Sequence, residues 1–234
     1  MNALKIFVHQ LKKEFIALYK NYKYFISLNT CFLIIGSWIL IKFSNIDITL
    51  WLNDLHGNYF IDHIILYLTN FGDIKLIIPY IIAIFIYDLK GCQKRFINLQ
   101  YLIITFVVVA GVTQSIKYVF RSYRPIYVFN HFYPNIRLNI IENNLPENYS
   151  FPSGHSVFMM LSIILTIYIF NIKNKYTQTL LSLFCIFVSL TRVFLFYHFF
   201  RDIYCGYFIG FIFTFITIGF CNVILKNYYN KYDN

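Results

Sequence analysis

The sequence predicts an all-α membrane protein: a polytopic six-span transmembrane helical bundle with an N-terminal amphipathic surface helix. Three observations predict it. Hydrophobic residues make up 59% of the 234-residue chain and charged residues only 13%, whereas a soluble domain carries about 25% charged residues. The apolar residues gather in runs of about twenty, the length a helix needs to cross a bilayer. The net charge is +10, and most basic residues sit in tails and short loops between those runs. That placement suits anionic lipid headgroups rather than nucleic acid.

The elements follow in order. In residues 1–23, Leu4, Phe7, Val8, Leu11, Phe15 and Leu18 recur at helical spacing, and Lys5, Lys12, Lys13 and Lys20 lie largely off that stripe. This predicts an amphipathic helix on the cytoplasmic membrane face. No signal-peptide core or cleavage site is visible there. Residues 24–234 read as one membrane domain with spans near 24–43, 74–89, 98–120, 153–171, 178–198 and 202–225. The stretch 58–70 is too short for a span and contains Asp62 and His63, so it reads as interfacial or re-entrant. Pro79 is tolerable inside the second span, and Asp73 before it reads as a helix cap. Gly206 and Gly210 form a G-x-x-x-G, a pattern that lets helices pack closely.

Six spans place both tails, 90–97 and 172–177 on one side. Those segments carry twelve Lys and Arg, against five elsewhere once Lys117, Arg124 and Arg192 are set aside for chemistry. The excess puts both termini in the cytoplasm and the loop 121–152 outside. Cys31, Cys92, Cys185, Cys205 and Cys221 show no disulfide or zinc spacing, and small buried hydrophobes are the expected role for most of them.

Ionisable residues at membrane depth are costly and point to function. Three clusters fall on the outer side: Lys117 to Arg124-Pro125; Pro152-Ser153-Gly154-His155-Ser156; and Thr191-Arg192 followed by His198 and Asp202. Lys117, Arg124 and Arg192 supply positive charge, and guanidinium forks match phosphate oxygens. Ser153 opens a helix whose free N–H groups would face an anion, and Gly154 allows close backbone approach. This is a cradle for a tetrahedral oxyanion without a carboxylate cluster to hold a metal. Asp202 is four residues from His198 and faces it if that turn is helical. A carboxylate on one ring nitrogen leaves the other as nucleophile. His155 is placed to protonate the leaving oxygen and then activate water. The reaction these groups suit is hydrolysis of a phosphate ester through a phosphohistidine.

The motifs K-x6-R-P, P-S-G-H and R-x5-H-x3-D, in this order on this span pattern, resemble the type 2 phosphatidic acid phosphatase superfamily over roughly residues 60–225. The resemblance implies a metal-independent, cofactor-free membrane lipid phosphatase. Lys117, Arg124, Ser153, Gly154 and Arg192 would bind phosphate. His155 would be the acid, His198 the nucleophile and Asp202 its partner. One departure is Thr191, where the family motif begins with Ser; its added methyl would crowd the pocket. His56, His63 and His131 match no motif and read as interfacial histidines. Tyr127, Phe129, Phe132 and Tyr133 read as an aromatic belt or the lining of an access path.

The expected setting is a bacterial inner membrane with a periplasmic active site. The expected partners are a membrane lipid phosphate and the bilayer, with no nucleic acid and no obligate protein partner. Among family substrates the reading adopted is the 1-phosphate of lipid A. Phosphatidylglycerophosphate, undecaprenyl pyrophosphate and transfer of phosphate to a second lipid stay open. A soluble vanadate haloperoxidase is disfavoured by the spans. A lipid-binding or transport protein is disfavoured by the absence of repeated broken helices and the presence of both His198 and Asp202.

Overall fold

The computed structural model describes residues 3–90, 96–141 and 144–232. Cys92, Lys94 and Arg95 of the expected basic loop lie outside the described residues. Among the described residues all regular structure is helical, and the α-helices are α1 (Ala3–Lys42), α2 (Asn45–Asn53), α3 (Tyr59–Thr69), α4 (Ile77–Lys90), α5 (Ile97–Phe120), α6 (Pro125–Phe132), α7 (Gly154–Ile169), α8 (Lys175–Phe194) and α9 (Phe200–Tyr232). Four of them, α1, α5, α8 and α9, are long and apolar enough to cross a membrane. The polytopic helical bundle that the hydropathy predicts is the architecture found.

α7 is only 16 residues long, about 24 Å at helical rise. It is central: the consecutive residues Val157, Phe158, Met159, Met160 and Leu161 are all buried, so every face of the helix is covered, and α5, α8 and α9 all pack on it. Its closest neighbour is α9. A Cβ on Gly206 would sit 2.5 Å from the Ser153 carbonyl oxygen, and one on Gly210 would sit 2.9 Å from that of Val157. The absence of a side chain at both positions is what lets α9 touch the α7 backbone.

α1 runs through the boundary expected at residue 23, with a kink at Tyr22. Gln178 causes it. Its Oε1 accepts from the Phe25 N–H at 3.1 Å and its Nε2 donates to the Asn21 carbonyl at 2.9 Å. The Asn21–Phe25 pair of the helix ladder is thus bridged by an inserted side chain, a recognised origin of kinks. Before the kink, Phe15 abuts Gly219 and Asn222 donates to Glu14 at 3.0 Å. Leu18 and Tyr22 are buried, while Leu4 and Val8 stay exposed.

Two short helices, α2 and α6, occur where the sequence suggested loop. α3 covers the expected interfacial stretch. Asp73 does cap the turn before α4, accepting from Lys75 N–H at 2.9 Å. α8 begins at Lys175, three residues early, because Asn174 Oδ1 caps the N–H groups of Tyr176 and Thr177. It ends at Phe194, four residues early, because Phe196 takes φ 62° and the chain folds back.

Candidate active site

The site is built where the ends of α5, α7, α8 and α9 meet. The stretch 121–124 pairs with 147–150 through Arg124 N–H to Glu147 carbonyl at 2.7 Å and Ser150 N–H to Ser122 carbonyl at 2.9 Å. This loop pairing is what brings Lys117 and Arg124 to the start of α7. Lys117 Nζ donates to the Tyr149 carbonyl at 2.7 Å, and Arg124 Nε to that of Asn148 at 2.9 Å. A second Arg124 nitrogen reaches the Tyr197 carbonyl at 3.0 Å and lies 3.5 Å from His198 Nε2.

Ser153 caps α7, its Oγ accepting from Ser156 N–H at 3.4 Å. Its own N–H donates to the Asp202 carbonyl at 2.9 Å, which pins the start of α7 to α9. The first N–H groups of α7, at Gly154 and His155, have no partner within the helix and suit an anion. His155 stands under the electrostatic influence of Arg192, His198, Arg124 and Lys117 together. The residues picked out in three distant stretches therefore share one site.

The turn 195–199 is not helical, because the N–H groups of Tyr197 and His198 both fold back onto the Arg192 carbonyl, at 3.0 and 3.1 Å. Asp202 still meets His198, by another route. Its Oδ2 accepts from the Phe199 N–H at 3.0 Å, the reach-back of an N3 carboxylate to the residue opening a helix. His198 Nδ1 lies 3.8 Å from Asp202 Oδ2, too far for a direct hydrogen bond. Ser150 fills the gap: its hydroxyl donates to Asp202 Oδ2 at 2.5 Å and stands 3.3 Å from His198 Nδ1. The imidazole then carries its proton on Nδ1, facing Ser150, and Nε2 holds a lone pair toward Arg124. His198 is 2% exposed. Its pKa is pushed down to about 3, chiefly by burial, with Asp202 opposing the shift and Arg124 and Arg192 adding to it. The ring is neutral at ordinary pH.

Arg192 is buried, stacked 3.6 Å from the Tyr197 ring, with one nitrogen donating to Thr69 Oγ1 at 3.1 Å. The Thr191 hydroxyl lies 2.6 Å from the Val188 carbonyl and 3.0 Å from Thr69. Sequence reasoning missed Ser150 and Thr69. The side chain of His56 is enclosed, with Nδ1 3.3 Å from Asp62 Oδ1 and Nε2 facing the Phe194 carbonyl at 2.8 Å. Phe129 lines no access path, since it is buried against Phe196 and Phe199. Exposed His63 and His131 bond the carbonyls of Tyr59 and Tyr127. Among the described residues no group of three His, Cys, Asp or Glu side chains is arranged to hold a metal ion.

The fold and the site define a membrane-embedded helical bundle with a cationic, histidine-bearing pocket. The sequence model of the PAP2 superfamily matches residues 98–222, over half of the chain, and the protein belongs to that superfamily. No curated protein matches the sequence. Two solved structures share the fold. LpxE of Aquifex aeolicus is 20% identical with a TM-score of 0.61, covering 76% of this chain and 96% of its own. A transmembrane PAP2-type phosphatidylglycerolphosphate phosphatase of Bacillus subtilis is 21% identical with a TM-score of 0.58, covering 84% of this chain and 94% of its own.

Proposed function

We propose that this protein is a lipid phosphatase that removes phosphate from a membrane lipid through a covalent phosphohistidine. The observation that carries the reading is the neutral His198 ring, held through Nδ1 by Ser150 and Asp202, with Nε2 3.5 Å from an Arg124 nitrogen. Nε2 attacks phosphorus while the P–O bond to the lipid breaks, and His155 gives its proton to the departing oxygen. Lys117, Arg124, Arg192 and the first N–H groups of α7 stabilise the charge on the three equatorial oxygens. The imidazolium that forms is held by Ser150 and Asp202. Water, deprotonated by His155, then attacks phosphorus, and the P–N bond breaks to regenerate His198 and release phosphate.

The site opens outward on the topology that the lysine distribution supports, at the periplasmic face of a bacterial inner membrane with both termini cytoplasmic. The substrate proposed is the 1-phosphate of lipid A, with phosphatidylglycerophosphate the second reading; similarity of fold to LpxE and to the Bacillus subtilis enzyme supports these two headgroups. Purified protein given each lipid in micelles, with free phosphate measured, tests both. Release from neither lipid, nor from undecaprenyl pyrophosphate, contradicts the reading.

A further inference from the structure

Thr69 ends α3, well before the residues matched by the superfamily model. It is 4% exposed, and its Oγ1 accepts from Arg192 at 3.1 Å. The Thr191 hydroxyl donates to the Val188 carbonyl at 2.6 Å. It also donates to Thr69 Oγ1 at 3.0 Å. Thr69 Oγ1 is thus an acceptor shared by the Arg192 guanidinium and the Thr191 hydroxyl. The Thr191 hydroxyl is turned back along α8.

A guanidinium is a planar fork, and it grips a tetrahedral anion only in orientations its plane allows. Tyr197 fixes the face of Arg192, with its ring 3.6 Å from the guanidinium carbon, and Thr69 fixes an edge. The segment that delivers Thr69 is itself tied to the end of α8. Asp62 of α3 pairs with His56 at 3.3 Å, and the other ring nitrogen of His56 faces the Phe194 carbonyl at 2.8 Å.

We propose that Thr69 is a positioning residue for the anion site, its hydroxyl setting the plane in which Arg192 meets the phosphoryl group. This rests on reading Arg192 as a phosphate ligand. The test uses the full chain in detergent, with orthovanadate and inorganic phosphate as probes, binding read by calorimetry, and melting temperature recorded alongside. Thr69→Val keeps the shape and removes the hydroxyl, so it should weaken anion binding and kcat/KM about tenfold, while Thr69→Ser stays within about twofold of wild type. Vanadate binding by Thr69→Val equal to wild type, even with a lowered melting temperature, would show a packing role alone and overturn the inference while the phosphatase reading stands. A Ser variant as weak as the Val variant would overturn it too. Wild type that binds neither anion removes the phosphate role of Arg192 and the inference with it. Should Thr69→Val not fold, Thr191→Val removes the other donor to Thr69 Oγ1, and unchanged vanadate binding there overturns the inference.

Discussion

Ser150 donates its hydroxyl to Asp202 Oδ2 at 2.5 Å, and it does so from a position between the carboxylate and the His198 ring. Asp202 thus acts on His198 through an intermediary. Ser150→Ala leaves Nδ1 3.8 Å from Asp202 Oδ2 with no hydroxyl between. A lost hydrogen bond to a charged group corresponds to about 1.5–3 kcal/mol, so kcat should fall about ten- to hundredfold with little change in KM. Phosphate-release kinetics decide this, and an unaltered kcat means that Asp202 reaches the ring unaided.

His198 is the proposed nucleophile, so His198→Ala should remove phosphate release altogether, a loss of at least about a thousandfold. His155→Ala should hurt slow leaving groups most, because its proton is needed where the departing oxygen is most basic. Because a P–N bond is cleaved by acid and survives alkali, protein quenched in alkaline denaturant after exposure to substrate labelled in its phosphate should carry label on wild type and none on His198→Ala. Label retained by that variant would assign the nucleophile elsewhere.

The pH dependence follows from the depressed pKa of His198. With a folded pKa of about 3 against about 6.5 unfolded, the ring stays unprotonated and nucleophilic through mildly acid solution. The kcat/KM profile, which reports free enzyme and free substrate, should show no substrate-independent acid limb near 6.5. Any acid limb should move with the phosphate pKa of the substrate used. The sign for stability is the same: the contribution is present above 6.5 and is lost as pH falls toward 3, because the unfolded chain takes up the proton first. An acid limb fixed at 6.5 across substrates would contradict the buried neutral ring.

How far the site was legible in the sequence follows from the chemistry of each residue. Lys117, Arg124, His155, Arg192, His198 and Asp202 stand out because charged or titratable groups at membrane depth are rare and come in spaced motifs. Ser150 and Thr69 are hydroxyls of common type, and only folding brings Ser150 to Asp202 and Thr69 to Arg192. The bundle was legible from hydropathy, but the kink at Tyr22 was not, since its cause is Gln178, over 150 residues away. α2 and α6 are short pieces, nine and eight residues, without enough turns to show a period. The turn at 195–199 is set by backbone bonds to Arg192 that no side-chain pattern announces.

The proposed cradle uses side-chain cations and backbone N–H groups in the place where other phosphatases use metal ions. Phosphate release should therefore be unchanged after dialysis against a strong chelator and should not rise on adding magnesium or zinc. Loss of rate in chelator, restored by one added metal, would contradict the cradle.

Gly206 and Gly111 make an internal contrast. A Cβ at Gly206 meets the Ser153 carbonyl oxygen at 2.5 Å, whereas one at Gly111 meets nothing within 4 Å. Ser153 cannot give way easily, because its N–H is bonded to the Asp202 carbonyl and its own carbonyl accepts from Val157. In Gly206→Ala, α9 must therefore back away from α7 and carry Asp202 with it. Overpacking of this kind costs about 1–3 kcal/mol, more than the ~1 kcal/mol of helix propensity that alanine adds. Gly111→Ala gains that propensity at no steric cost. Thermal unfolding in detergent should rank Gly111→Ala at or above wild type and Gly206→Ala below it. Only Gly206→Ala should lose activity, because only there does the clash act on the bond that joins the α7 cap to Asp202. Equal melting temperatures and equal rates for the two variants would mean that the approach of α9 to Ser153 is not what holds the site together.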